Sequence, residues 1–591
     1  MSNKINRERT RNLSRRGFLG GIAGGAALPF VLGSASAQDG VCGTAGVDCG
    51  AVAEGSAGMV VSVSPAASEV GARVLRDGGN AVDAAVAVQF ALNVTQPHSS
   101  GIGGGGFMLY YDAAEDGVEI VNSRERAPAG ADPDMFLEDG EPIPFDERHT
   151  HGNAVGVPGT PSGLRRAAER YGSIPIEELI DPAIDLAEGT EVDAVLAEQI
   201  ADKEWKLNDA AREVFLDDGE PLAEGDTLEQ PDLADTLRLL RDRGIREFYE
   251  GEIAEALADA VQEAGGSMTP GDLCRYEATV DEPVHGCYRG ADVYSMPPPS
   301  SGGLTVIQIL NLLAGFDLGD TYDVRSGTKY HLLAEAMRLA YADRGEYMGD
   351  PEFVDVPSEG LLDPAYVAER SELIDPDSIN EDPQPGDPWA YQPGRADSVT
   401  RETPRAIGQT THFTVADSEG NLVSYTTTIE QLFGSGIMVP GYGFMLNNEL
   451  TDFDAEPGGA NAVEPNKRPL SSMSPTIMAR DGEPFLTVGS PGGPTIITSV
   501  AQAILHHVEY GLPLADAIDE PSIYAPDSPR VTLWEEEIPE EAREEAAALG
   551  NEWSDDPGPI GNVNMLGADE DGYVGAADQV REGLAIGLDE E

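Results

Sequence analysis

The chain is poor in positive charge: 37 basic side chains stand against 105 acidic ones over 591 residues, a formal charge of −68. Only five of the basic residues are lysine. A surface of that sign repels nucleic acid and anionic membranes, so no nucleic-acid partner is expected. Aromatic residues are also scarce, at 6%, and there are four cysteines. These fall into two local pairs, Cys42 with Cys49 and Cys274 with Cys287, open to disulfide formation in an oxidising compartment. No pair has zinc-ligand spacing and the eight histidines form no cluster with them, so no metal site is expected. His506 and His507 are adjacent within an apolar stretch and read as packing or surface residues.

The acids are spread along the whole chain in singles and pairs. In ordinary saline that density destabilises a compact state by self-repulsion. At molar salt the screening length falls to about 3 Å and the same charge keeps a protein solvated, which points to a salt-loving source. An acidic disordered chain is the alternative, and it requires few periodic apolar segments.

The N-terminus carries an address. Asn12-Leu13-Ser14-Arg15-Arg16-Gly17-Phe18-Leu19 is a twin-arginine export motif, followed by a Gly/Ala-rich apolar run to Leu32. Ala35-Ser36-Ala37 supplies a small-x-small cleavage pattern, so residues 1–37 read as a signal peptide. The run is too short and Gly-rich for a stable membrane span. The expected destination is extracellular or the cell surface, reached by export in the folded state.

Beyond the signal, strands and helices interleave. Residues 65–75 and 81–91 have helical patterns joined by Asp77-Gly78-Gly79-Asn80, with Ser64 as N-cap of the first. A glycine run, Ser100-Gly101-Ile102-Gly103-Gly104-Gly105-Gly106, leads into a strand over 107–111. No Lys-Ser/Thr follows, so the run fits close backbone packing beside a site rather than a phosphate loop. Helical runs follow at 194–207, 233–264, 304–313 and 331–343, with strand signals near Val280 and Val293. Residues 376–408 are rich in Pro and Asp and read as a flexible tail. Strands then fit 411–416, 422–429, 475–479 and 485–488, and a helix fits 496–510. This periodicity rejects disorder for most of the chain and gives an α+β class in layers.

Thr410-Thr411-His412 opens a strand directly after that tail. Threonine suits strands, so a structural role is open. The chemical alternative is that Thr410 becomes a new N-terminus. Its hydroxyl would attack the Gln409 carbonyl, convert amide to ester and let water release the preceding segment. The freed α-amine, with a pKa near 8, would be a general base beside its own hydroxyl.

The surrounding motifs resemble those of the γ-glutamyltransferase (γ-glutamyltranspeptidase) family, haloarchaeal in type. They begin with Thr410-Thr411-His412-Phe413-Thr414-Val415, then Gly420-Asn421-Leu422-Val423-Ser424-Tyr425-Thr426-Thr427-Thr428-Ile429-Glu430 and Phe433-Gly434. Others are Gly78 to Ala85, the glycine run through Leu109, Arg124-Glu125-Arg126-Ala127-Pro128, Met296 to Gly303, Asn466 to Pro475 and Gly489-Ser490-Pro491-Gly492-Gly493.

The resemblance implies a four-layer αββα sandwich of the N-terminal-nucleophile hydrolase type. It implies a chain that cuts itself between Gln409 and Thr410 into a large subunit, 38–409, and a small catalytic subunit, 410–591, which remain a heterodimer. Thr410 would be nucleophile, Thr428 its hydroxyl partner, and Gly492 with Gly493 the oxyanion hole. Arg124, Ser471 and Ser472 would hold the donor's α-carboxylate, and Glu430, Glu449 and Asp452 its α-ammonium. The activity implied is transfer of a γ-glutamyl group, from glutathione or a related amide, to water or an amine, without cofactor or metal. A glutaryl (β-lactam side-chain) acylase or a γ-polyglutamate hydrolase is the alternative on this fold.

Two departures stand out. Some family members carry an amide where Glu430 or Glu449 stands, so ammonium binding here is expected to be more purely electrostatic. The segment Phe453 to Val463 is shorter than the aromatic-bearing lid of other members, which implies an open site.

Overall fold

The computed structural model describes residues 40–393 and 409–590. The expected signal peptide, and 394–408 of the expected tail, lie outside the described residues.

Two large antiparallel sheets stack face to face. Their strands are β1 (Val47–Gly50), β2 (Val52–Gly55), β3 (Gly58–Ser62), β4 (Gly105–Asp112), β5 (Gly117–Asn122), β6 (Thr279–Asp281), β7 (Val284–Tyr288) and β8 (Ala291–Ser295). After them come β9 (Thr410–Ala416), β10 (Leu422–Thr428), β11 (Thr476–Arg480), β12 (Glu483–Gly489), β13 (Asn564–Asp569), β14 (Gly572–Ala577) and β15 (Leu584–Leu588). The eight-stranded sheet runs β1-β15-β3-β9-β10-β4-β5-β6, and the seven-stranded sheet β7-β8-β11-β12-β13-β14-β2.

Helices cover both outer faces. On the first sheet lie α1 (Pro65–Arg76) and α2 (Ala81–Thr95), backed by α3 (Ile176–Ala187) and α4 (Pro231–Arg243). On the second lie α5 (Gly302–Leu313), α6 (Gly327–Tyr347) and α7 (Thr495–Ile504). The layering is αββα, as the family resemblance implies.

The period of two in a strand sorts the central residues between layers. Phe413 and Val415 of β9, with Val423 and Tyr425 of β10, pack on the α1/α2 side. The intervening residues look into the sandwich, where Thr414 meets Thr487 at 2.5 Å and His412 Nδ1 meets Thr426 Oγ1 at 2.9 Å. Thr410 and Thr428 therefore share the inter-sheet side, and the register places them directly opposite.

The β9–β10 turn is held by Asp417, whose carboxylate accepts the Glu419 and Asn421 N–H groups and the Ala81 N–H that opens α2. Gly420 supplies the positive φ, +89°, that this turn needs. Helix α2 is buried along its length, and Asn80 and Asp83 form its capping box.

Several expected boundaries shift. Ser64 caps α1 as expected. The run at 233–264 breaks at Gly244, whose φ of +89° ends α4 before Glu247–Glu250 and Glu252–Glu263. Helix α7, expected over 496–510, passes into a π-helical turn at Leu505–Glu509, where His506 and His507 bond the Ala517 and Leu512 carbonyls.

The part of the expected flexible tail that is described, 376–393, is held by tertiary bonds. Asn380 N–H bonds Glu335, Gly386 N–H bonds Asp343, and Gln392 accepts the Gly360 N–H. The cysteine pairing is half corrected: Cys42–Cys49 is a disulfide, but Cys274 and Cys287 are separate free thiols. Cys274 ends a short helix near Glu250, whereas Cys287 lies on β7 near Asp292.

Candidate active site

At the mouth of the sandwich, one cleft is lined by Arg124, Thr410, Thr428, Glu430, Glu449, Asp452, Ser471, Ser472 and Gly493. Nine of the ten residues singled out from the sequence thus meet. Gly492 lies just beyond, lining the neighbouring pocket with Gln409 and Arg581.

The Gln409–Thr410 peptide is clamped from several sides. Thr410 Oγ1 donates to Thr428 Oγ1 at 3.4 Å, and Thr428 Oγ1 donates to the Gln409 carbonyl at 3.1 Å. The Glu430 N–H fixes the Thr428 hydroxyl at 2.8 Å, so the hydroxyl is aimed rather than free to rotate. Gln409 N–H bonds the Glu430 carbonyl. Arg581 donates to the Thr410 carbonyl at 2.7 Å and also to the Gln409 side chain. Burial pushes the Arg581 guanidinium down to about 10, against the pull of Asp578.

The glycine run lets β4 and its approach lie against this strand pair. A Cβ on Gly104 would collide with the Thr428 carbonyl, and one on Gly103 with the Met445 carbonyl. Close packing, rather than phosphate binding, is what these glycines serve.

Arg124 follows β5 and is fully buried. Its guanidinium donates to Glu449, to Asp452 at 2.7 Å and to the Pro469 and Leu470 carbonyls. Burial opposes its charge, but Glu449 and Asp452 outweigh that and hold it firmly cationic. Burial pushes Glu449 up to about 7 against the pull of Arg124. Glu430, at a positive φ of 78°, is raised well above the usual carboxylate range by burial and then by Asp452 and Glu449. One oxygen each of Glu430 and Glu449 has no protein partner. The site thus sets a fixed cation beside a cluster of under-satisfied carboxylates.

Ser471 and Ser472 sit on an extended loop beside Arg124. Ser471 Oγ accepts the Met473 N–H, and Ser472 Oγ accepts from Arg344 at 3.0 Å. Gly492 and Gly493, with φ of +135° and +58°, form the turn before α7, and their carbonyls receive the Thr495 and Ile496 N–H groups. The short segment after Asp452 closes on itself through Asp454 N–H to the Asn461 carbonyl, and Asn461 ties it back to the Asp452 carbonyl at 2.7 Å.

Three neighbours were not singled out from the sequence. Arg581 carried a faint signal as the last basic residue of an acidic C-terminal segment. Lys206, one of five lysines, donates to the Gly434 carbonyl at 2.7 Å; burial pushes it down to about 7, against the pull of Glu430. Glu125 is buried with both oxygens unpartnered and raised by burial and then by Glu449, and only its neighbour Arg124 hinted at it.

An αββα sandwich with a threonine pair at the head of a central strand defines the N-terminal-nucleophile hydrolase class. Within it, this chain belongs to the gamma-glutamyltranspeptidase family, whose model matches residues 67–588. It is 56% identical over 541 residues to the glutathione hydrolase proenzyme of Bacillus subtilis (strain 168), covering 90% of this chain and 92% of that one. The fold is similar to a cephalosporin acylase from Bacillus halodurans, with a TM-score of 0.81, 27% identity and coverage of 91% and 97%. It is also similar to the gamma-glutamyltranspeptidase of Helicobacter pylori, with a TM-score of 0.54, 39% identity and coverage of 56% and 96%.

Proposed function

We propose that the chain is a self-processing γ-glutamyltransferase and glutathione hydrolase. The carrying observation is the clamped Gln409–Thr410 peptide, with the Thr428 hydroxyl donating to its carbonyl. In processing, Thr410 Oγ1 attacks that carbonyl, the C–N bond breaks, the nitrogen takes a proton, and water hydrolyses the ester. Thr428 stabilises the developing oxyanion.

In turnover, Thr410 Oγ1 attacks the γ-carbonyl of the donor while the new α-amine accepts its proton and passes it to the leaving amine. Water or another amine then takes the γ-glutamyl group from the ester. Arg124 receives the donor's α-carboxylate. The carboxylates of Glu430, Glu449 and Asp452 receive its α-ammonium. The Gly493 and Gly492 N–H groups are assigned to the oxyanion.

An acylase reading draws on the shared fold with the cephalosporin enzyme. The carboxylate cluster beside Arg124 favours a donor with an ammonium, which a glutaryl group lacks.

Mass spectrometry of the mature protein tests the processing step. By share of the 62.4 kDa chain, pieces of about 39 and about 19 kDa are expected, and a single chain for Thr410→Ala. A wild-type chain that stays whole and active overturns the reading. Release of chromophore from a γ-glutamyl anilide, lost in Arg124→Ala, separates transferase from glutaryl acylase. The twin-arginine motif and the excess of acids support export in the folded state into concentrated salt.

A further inference from the structure

Away from the cleft, at the open edge of the second sheet, β7 and β8 bring three unlike donors together. Val284, Gly286 and Tyr288 face the helix layer, Gly286 against Ile307 of α5. Their neighbours His285 and Cys287 therefore share the opposite, exposed side of the strand. Antiparallel register sets Asp292 opposite Cys287 and Tyr294 opposite His285. His285 Nε2 lies 2.8 Å from Asp292 Oδ1, and Cys287 Sγ lies 3.7 Å from the same oxygen. One ligand atom from each residue falls within 4.8 Å of the others. The His285 ring is steadied by stacking on Tyr294 at 4.9 Å.

We propose that His285, Cys287 and Asp292 form a binding site for a borderline divalent cation of the Zn²⁺ class. Tetrahedral zinc holds sulfur at about 2.3 Å and nitrogen or oxygen at about 2.0 Å, so bound ligand atoms stand roughly 3.5 Å apart. The three atoms already lie within 4.8 Å of one another, with two of the spacings at 2.8 and 3.7 Å. The donors also set selectivity: a thiolate with an imidazole favours zinc, cobalt, nickel or copper over magnesium or calcium. Surface carboxylates have the opposite preference. On loading, the thiol proton leaves to solvent as the sulfur–metal bond forms. Three protein ligands leave a fourth position for water or an added ligand. A groove of about 770 Å³, lined by His285 and Cys287 with Phe316, Leu362 and Val367, adjoins the cluster.

The expectation of no metal rests on the cysteine-pair spacing and on the absence of a histidine cluster with them, and it overlooks His285, two residues from Cys287. His-x-Cys on one strand becomes a site only once the hairpin adds Asp292 across the ladder.

The test is a Co²⁺ titration of the reduced full chain in concentrated salt with excess Mg²⁺ to occupy carboxylates. A sulfur-to-cobalt charge-transfer band that saturates at one equivalent and is bleached by Zn²⁺ is the expected result. Cys287→Ser should abolish the band, and His285→Ala or Asp292→Asn should weaken binding by about tenfold or more. Cys274→Ser should leave it unchanged, and all four variants should retain γ-glutamyl hydrolysis, which reports a native fold. Absence of the band, its survival in Cys287→Ser, or its loss in Cys274→Ser overturns the site.

Discussion

The Thr428 hydroxyl accepts from Thr410 and from the Glu430 N–H, which leaves its own proton for the Gln409 carbonyl. Valine keeps its shape and removes that donor. Thr428→Val should slow appearance of the two subunits by about 10²-fold, since a lost oxyanion donor costs roughly that factor. A time course by mass spectrometry reads it, and an unchanged rate would show that the hydroxyl does no such work. Glu449 gives a pH-dependent prediction. Only its ionised form attracts an ammonium, and burial pushes it up to about 7. KM for a γ-glutamyl donor should therefore fall as pH rises through about 7, and Glu449→Gln should flatten that limb. Stability runs the other way. A folded pKa above the unfolded one favours the protonated native state, so this group's contribution declines between the ordinary carboxylate range and about 7. Thermal melts of wild type and Glu449→Gln across that window test the sign. Much of this cleft was legible as residue identities, because Thr410, Arg124 and Ser471 stand in motifs. Their meeting was not legible, because Arg124 reaches Glu449 and Asp452 across more than 300 residues of chain. Arg581 and Lys206 act through bonds to backbone carbonyls, which leave no mark in a sequence pattern.

Among the elements, strand alternation and caps gave most of the sandwich. Ser64, Asn80 and the turn at 417–421 each end or start an element where the chain pattern says. Boundaries failed where an apolar period continued through a break, as at Gly244, or where polar composition hid tertiary bonds, as at 376–393. Cys274 and Cys287 misled because closeness in sequence does not bring a helix end and a strand together. Asp83 shows how one side chain joins elements. It caps α2 and accepts the Ser173 N–H and hydroxyl and the Ile174 N–H at the approach to α3. Asp83→Ala strands those donors and should destabilise the fold by about 2–4 kcal/mol, measured by denaturant melts. Gly104→Ala drives a methyl into the Thr428 carbonyl. It should yield folded but unprocessed chain, and normal processing would show that β4 yields more readily than the packing implies.

For the whole molecule, the charge of −68 makes the response to salt the measure of what the excess acids do. Many surface arginines are already paired, as Arg238 is with Glu188 and Asp235, and Arg241 with Asp181 and Asp242. Exposed pairs of this kind contribute roughly 0–1 kcal/mol each, too little to offset the excess of acids. The melting temperature should climb as salt rises from about 0.15 M, where screening reaches about 8 Å, toward molar concentrations. A maximum in dilute buffer would assign the acids another purpose.

The strand order carries a last consequence. A cut before Thr410 leaves β1, β3, β4, β5 and β6 on one piece and β9, β10 and β15 on the other, interleaved in one sheet. The second sheet is mixed too, with β2, β7 and β8 flanking β11 to β14. Neither piece holds a complete sheet, so cutting turns a chain that folds on itself into two strangers that must find each other. Before the cut, refolding is first order; afterwards it is bimolecular, and recovery from denaturant should depend on protein concentration. Thr410→Ala should lack that dependence, which makes the moment of cleavage the point at which the molecule gives up folding again alone.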